Sequence, residues 1–573
     1  MGNKKTDADQ TNKAPDKKTS KGAKPEPDNK KIAPASAKEA NNKSNHEQQK
    51  KKIEVKKPAR SKRRRGENEE LIQGRESLDN ILAILFLTVL FLLPLLIRVH
   101  TGMFVAPRFV ADVVNTAVQG EVFTYFKTGL LYTVTILVII VMVVKAALYK
   151  WRIEASYINL PLLVLAFTIL LSGVAAEAKG LAMFGMYNRH EGTLTYLCYL
   201  TLFFAAATTQ FKSWFPRLAI SGIGIVTAIN TVIILFHFFN HDLYQLAWVK
   251  SMIVPASMKG VSASGTLWST FNNPNYVSGI GAALAIFFFT LSLKAESIKT
   301  RLAMGVLAIS AYALMAAAIS TSGWIALMIA LPFAIILGFR GSDLRIAGAS
   351  AVIILVGCAL VLVGMNNYNP KVAEEPRSFL ASTVGQAWQE VFEDEQVQTP
   401  APTVPSPGKT ETKPAAEKTV TDDFNLPKAG ITAGSGRLYI WQKTIELIKE
   451  RPILGYGLDT IPYYFPQNDI MKVAGLGTYN QVVDKPHCFY LQLAYGCGLI
   501  ALLALLGLFV LFLYNGLRFA WQAVSDEKGA FIAAIVVFFV AFALQWLFND
   551  SIIGTSPMFW VLTGVGVALG RET

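Results

Sequence analysis

The side chains best suited to chemistry lie at two ends of one polar stretch. Arg437 sits in Gly436-Arg437-Leu438-Tyr439-Ile440-Trp441, at the opening of a segment with helical spacing. An arginine in a first turn sets fixed donors beside the positive end of a helix, which suits phosphate oxygens. His487 sits in Lys485-Pro486-His487-Cys488-Phe489-Tyr490-Leu491-Gln492, where the polar stretch meets an apolar run. Pro486 stops a helix from extending outward, so His487 is expected in its first turn, at the water boundary. Imidazole is the side chain whose unperturbed titration lies nearest neutrality, which suits proton removal from a hydroxyl. Taken singly, the same residues also read as a solvated arginine and an interfacial histidine.

Other clusters are weaker. Gly185-Met-Tyr-Asn-Arg189-His190-Glu191-Gly192 offers a second cation, Arg189, for an anionic substrate, with Glu191 holding its side chain; it also reads as a hydrated turn. Phe271-Asn-Asn-Pro-Asn275-Tyr276 places asparagines and a proline before an apolar run, the pattern of a helix cap. His237 and His241 share a helix face, but no glutamate between them makes a zinc-protease motif. No P-loop, dinucleotide fingerprint, GxSxG elbow or Asp-rich diphosphate motif is present, so no cofactor or metal is expected.

These residues need a frame, and composition says what kind. Of 573 residues only 16% are charged, and mean hydropathy is +0.37. A soluble domain carries about a quarter charged residues. With many apolar runs near 20 residues, the chain reads as an all-α polytopic membrane protein. Net charge is +14, and residues 1–78 hold 22 Lys and Arg against 12 Asp and Glu. That stretch is poor in large apolar residues and is expected to be a disordered cytoplasmic tail attracted to anionic lipid. No aromatics interleave its charges, so nucleic acid is not the expected partner. Four cysteines give neither a disulfide framework nor a metal cluster.

Apolar runs predict twelve spans: 80–97, 128–149, 157–174, 193–211, 218–238, 276–293, 302–319, 322–339, 346–365, 487–514, 529–547 and 551–569. Starting inside, every inside connection is short and basic, from Lys145, Lys150 and Arg152 to Arg571. Both termini are therefore expected in the cytoplasm. Outside lie tight turns near Ser320 and Asp550 and a long loop, 366–486, between spans nine and ten. Within it, 377–395 has helical spacing, 396–424 reads as a Pro/Thr/Lys-rich linker, and Ser435–Glu450 as an amphipathic helix. That helix is expected to bury Leu438, Trp441, Ile445 and Ile448, with Ser435 as cap and Arg451-Pro452 as its end. The domains are thus 1–78, 79–365, 366–486 and 487–573.

Gly436-Arg437-Leu438-x-x-Trp441, Pro452-x-x-Gly455-x-Gly457 and His487-x-x-x-Leu491, with Gly185-x-x-x-Arg189-x-Glu191-Gly192 and Asn273-Pro274-Asn275, resemble the O-antigen ligase / O-antigen polymerase superfamily. The resemblance covers residues 80–570, apart from the 396–424 insert. It implies metal-independent transfer of a glycan from an undecaprenyl-diphosphate carrier to an acceptor hydroxyl at the outer face of a bacterial plasma membrane. Arg437 and Arg189 would clamp the diphosphate and His487 would act as base, with Gly436, Trp441, Lys485, Glu191 and Asn275 in the binding site. Relatives often show Ser-Arg-Gly where this chain has Ser320-Thr-Ser-Gly323, so one phosphate contact is lost or supplied by Arg189 or Lys485. The acceptor would be a cell-wall polymer, a surface protein or a growing chain. A repeat-unit polymerase is the alternative within the family, and a lipid-linked glycan flippase the alternative outside it. Broken mid-membrane helices would favour the flippase, and none is evident in the sequence.

Overall fold

Apolar runs of this length in lipid must satisfy their own backbone, so they fold as helices. The computed structural model describes residues 59–104, 117–153, 156–258, 268–374, 376–377, 430–431, 436–478, 480–522 and 527–571. The chain divides into two units, Met1–Asn68 and Glu69–Thr573. The helices that matter are α1 (Ala59–Leu87), α2 (Tyr125–Tyr149), α3 (Asn159–Ala175), α4 (Thr193–Thr208), α5 (Trp214–Phe238), α6 (Pro274–Lys294) and α7 (Ile298–Ala317). They continue as α8 (Thr321–Phe339), α9 (Leu344–Tyr368), α10 (Arg437–Glu450), α11 (Phe489–Gln522), α12 (Glu527–Gln545) and α13 (Ser556–Arg571).

A helix occupies each of the twelve expected span positions, and α10 is the helix expected in the long loop. Among the described residues nine are long and apolar enough to cross a membrane; α3, α4 and α13, with 17, 16 and 16 residues, are shorter. Large apolar side chains lie bare on α2 (Ile136, Ile139, Ile140, Val143) and α9 (Val352, Ile353, Val356, Leu360), surface that only lipid would cover. The central element is α6, apolar on every side and buried over its whole hydrophobic window. Small residues let its neighbours approach: a Cβ at Gly281 would meet the Met315 backbone nitrogen at 2.8 Å.

Four features depart from the sequence reading. The first helix begins at Ala59, so the last twenty residues assigned to the tail are helical; residues 1–58 lie outside those described. A two-stranded antiparallel hairpin, β1 (His100–Phe104) and β2 (Ala117–Glu121), lies between the first two spans, the one sheet among the described residues. Its last residue, Glu121, accepts from the backbone nitrogens of Phe123, Thr124 and Tyr125 and so starts α2. The segments 378–395 and 396–424 and the proposed cap Ser435 lie outside the described residues.

Third, α10 presents a different face from the one expected. Leu438 and Ile445 are 51% and 41% exposed, while Tyr439, Ile440, Thr444 and Leu447 are buried with Ile448. The apolar arc of this helix is wider than the face it buries, so spacing alone does not select which part is covered. Tyr439 selects it, lying over Gly475 and donating to Asp469 at 3.0 Å.

Fourth, α11 is broken at Gly498, where φ is +82°. The Pro452–Gly457 loop fills the break. Leu499 donates to the Pro452 carbonyl at 2.7 Å, and Tyr456 and Gly457 donate to those of Tyr495 and Gly496 at 3.0 and 2.9 Å. The break therefore seals a loop against a span, with the freed backbone groups satisfied by protein. A Cβ at Gly498 would stand 2.0 Å from the Ile453 carbonyl oxygen. Gly498→Ala is expected to cost about 1–3 kcal/mol from backbone conformation alone, and more from the overlap. A lower melting temperature of the purified protein checks this.

Candidate active site

The site is built from loops and helix starts at one end of the bundle. Asp550, in the turn between α12 and α13, is its centre and is 2% exposed. The Phe489 nitrogen donates to the carbonyls of Trp546 and Asn549 at 2.9 and 3.0 Å, fastening the start of α11 to that turn. His487 is thereby held beside Asp550, Nδ1 to Oδ2 3.3 Å. It lies two residues ahead of the helix, in the left-handed region at φ +53°, rather than in the first turn. Lys485 Nζ is 3.8 Å from the same carboxylate and donates to the Tyr276 hydroxyl at 2.8 Å. Tyr276 in turn donates to Asp550 at 3.5 Å.

Arg437 joins this group through Trp441. One turn along α10, Trp441 Nε1 donates to the Pro486 carbonyl at 2.8 Å, docking the Gly-Arg-Leu-x-x-Trp motif onto Lys485-Pro486-His487. Gly436 makes the turn into α10 at φ +84°, where a Cβ would meet Leu476 Cδ2 at 2.5 Å. Arg437 is half-buried and within Coulombic reach of Asp550 and Tyr276. Among the described residues no hydrogen bond or ion pair engages its guanidinium. Burial lowers it from the ordinary arginine value, against the opposing charge of Asp550.

Arg189 is placed differently. It is 6% exposed, and its nitrogens are occupied: Nε donates to Asp459 Oδ1 at 2.8 Å, Nη2 to the Asp484 carbonyl at 3.2 Å, and Nη1 pairs with the Asp484 carboxylate. Asp459 also accepts from the Met186 nitrogen at 2.6 Å, pinning the whole loop. The two carboxylates, not Glu191, hold the arginine. Gly185 and Gly192 pack against each other, so that a Cβ on Gly192 would meet the Gly185 nitrogen at 2.5 Å. Arg189 still lines a cavity of about 40 Å³ with Glu191, Tyr276, Lys485 and Lys127. Lys127 is buried at 1% exposure and donates to the Thr270 carbonyl at 2.6 Å.

Asn275 is a framework residue. Asn273 caps α6, accepting from the Asn275 nitrogen at 2.9 Å, and Asn275 Oδ1 accepts from Ser320 at 2.7 Å. Ser320 thus ties the start of α8 to the start of α6. Among the described residues, seven that are not glycine have positive φ, and five border this region: His190, Asn272, Ile319, Asp459 and His487. Backbone strain of that kind gathers at functional sites.

Burial would raise the Asp550 carboxyl, but the hydrogen bond and charge of His487, with Lys485 and Arg189, overcome it and hold it at about 2. Asp484 is buried too, yet Arg189, Lys485 and His487 keep it below the usual carboxylate range. Lys485 is raised: burial opposes its charge, and Tyr276, Asp550 and Asp484 outweigh that. Glu191 goes the other way. Burial pushes it up to about 8, against hydrogen bonds from Tyr199 and Ser551. Because that value lies above the ordinary 4.5, Glu191's contribution to stability is complete below about 4.5 and is lost as pH rises to about 8. Glu191→Gln, which fixes the neutral form, is expected to melt above wild type by a margin that widens over this window and then levels off. A margin independent of pH would count against a buried neutral Glu191.

The aspartates 459, 484 and 550 and Lys127 were not singled out from sequence. The one signal available for Asp550 was its place in a tight outside turn between two spans.

Fold and site together define a multi-pass membrane protein whose polar side chains converge at one end of a helical bundle. Residues 303–506 match the family model described as O-Antigen ligase, a stretch that holds Gly436, Arg437, Trp441, Lys485 and His487. The resemblance to the O-antigen ligase / polymerase superfamily is supported over that segment, and with it a glycosyltransferase-like character in general terms. No curated protein matches the chain.

Proposed function

We propose that the protein transfers a glycan from an undecaprenyl-diphosphate carrier to an acceptor hydroxyl at the outer face of a bacterial plasma membrane, with both termini in the cytoplasm. The observation that carries this reading is an imidazole held to Asp550 through Nδ1, with the half-buried Arg437 guanidinium, unpaired among the described residues, within Coulombic reach of the same carboxylate. With Nδ1 turned to the carboxylate, His487 Nε2 is left to accept the proton of the acceptor hydroxyl. The acceptor oxygen bonds to the anomeric carbon as the bond from that carbon to the diphosphate oxygen breaks. The leaving diphosphate carries new negative charge, met by Arg437 and Lys485. Arg189, already engaged by two aspartates, fixes the loop behind and adds charge at a distance. A ligase and a repeat-unit polymerase share these steps and differ in the acceptor: a wall polymer, a surface protein or a growing chain. The flippase alternative gains nothing from the break in α11, which a loop of the same chain fills.

The test is reconstitution. Purified protein given a lipid-diphosphate glycan and an acceptor is expected to release undecaprenyl diphosphate in step with product. It should do so equally well in EDTA, since side-chain cations neutralise the leaving group. Movement of the donor across the bilayer without transfer would overturn the reading, and strong Mg²⁺ dependence would overturn the role given to the cations.

A further inference from the structure

A second polar pocket lies at the far end of the bundle. Helices α2, α4 and α13 start at or beside the candidate active site and end at this pocket, through Lys145, Thr208 and Arg571. At 1.5 Å per residue even the shorter of them separate the two by about 24 Å. The pocket has a volume of about 390 Å³. Arg75, Glu76, Asp79, Lys145, Trp151 and Arg571 line it. Both carboxylates are already matched: Lys145 Nζ lies 2.5 Å from Asp79, and Lys212 Nζ 3.1 Å from Glu76. Arg75 donates to the carbonyls of Tyr149 and Lys150 at 2.7 and 3.0 Å, and no carboxylate among the described residues forms an ion pair with it. No carboxylate among the described residues pairs with Arg571. Among the described residues that line it the pocket has three cations against two carboxylates, one net positive charge, and favours an anion.

An apolar groove of about 380 Å³ lies on the same end, lined by Leu162, Leu163, Ala166, Leu200 and Phe204. The two hollows adjoin along α4 and the 151–153 segment. Phe204 of the groove and Ala207 of the pocket are successive positions on one face of α4, and Trp151 and Ile153 sit two residues apart. Arg571 is within Coulombic reach of Tyr157, just ahead of Asn159 in the groove. Leu163 is 67% exposed, so the groove opens outward, toward lipid. A cationic pocket of headgroup size beside an open apolar channel matches an amphiphile with one anionic end.

We infer that this pocket and groove bind one anionic phospholipid, its phosphate between Arg75 and Arg571 and an acyl chain along α3 and α4. The site is independent of the glycan chemistry at the other end. The test uses the full chain, purified in an uncharged detergent and examined by native mass spectrometry with phosphatidylglycerol, phosphatidylcholine or inorganic phosphate. Wild type is expected to retain one phosphatidylglycerol about fivefold better than phosphatidylcholine, the worth of one basic side chain facing an anionic headgroup. Arg571→Gln should remove that preference, and Leu163→Trp, which fills the groove, should lower retention by a similar factor. Both positions are exposed, so the variants are expected to fold, and an unchanged melting temperature verifies it. Equal retention of the two lipids, indifference to both variants, or displacement of the lipid by millimolar phosphate would overturn the inference.

Discussion

Purified His487→Ala is expected to transfer glycan about 10²–10⁴ times more slowly than wild type, the usual worth of a positioned base. Alanine leaves the start of α11 intact, because the Phe489 nitrogen still donates to Trp546 and Asn549. The variant should therefore fold and bind the lipid-linked donor. Asp550→Asn addresses the same step from the other side. It keeps shape but removes the charge that orients Nδ1 and stabilises the imidazolium formed when Nε2 takes a proton. Residues that act as a unit are not additive. The double variant should be no slower than His487→Ala alone. An additive loss would mean that Asp550 serves Lys485 and Tyr276 rather than the histidine, and wild-type rates for His487→Ala would remove it from the reaction.

Arg437→Ala is expected to lower the rate by about 10²–10³, the loss seen when one group stabilising a developing anion is removed. In cells the same variant should accumulate lipid-linked precursor and lose surface glycan. Arg437→Lys separates charge from shape: an ammonium restores the positive charge but not the planar fork, so recovery should be partial. Trp441→Phe tests the mount. It removes the donor to the Pro486 carbonyl and leaves the guanidinium in place, so the expected defect is smaller and falls on donor KM as well as kcat. A full-rate Arg437→Ala would shift the diphosphate contact to Lys485 alone.

The acid behaviour of the site follows from Asp550. Its folded-state value, about 2, lies below the ordinary 3.8, so the stability it contributes is complete above about 3.8 and is lost as pH falls toward 2.

Arg437 and His487 were readable in advance as candidates because their signals are local. A glycine before an arginine that opens a helix, and a proline before a histidine at a membrane boundary, are patterns a few residues long. The helices were readable for the same reason, since lipid allows a run of this length one backbone solution. The facing of α10 was not, because its apolar arc is wider than the buried face and the partners of Tyr439, Gly475 and Asp469, lie some thirty residues on. The break in α11 was hidden too. Gly498 has no distinguishing neighbours in sequence, and its conformation answers to a loop some forty residues earlier.

Sequence alone determined the twelve helical positions and the long loop and singled out Arg437 and His487 as candidates, since each depends on residues close in the chain. Tertiary structure decided that Asp550 lies beside His487 and within Coulombic reach of Arg437, that Asp459 and Asp484 rather than Glu191 hold Arg189, and that Lys127 lines the same cavity as Arg189. Those partners come from turns and helix ends far apart in sequence. A carboxylate in a short turn carries no mark of its partner until helix packing brings a cation within a few ångströms and removes the water between them.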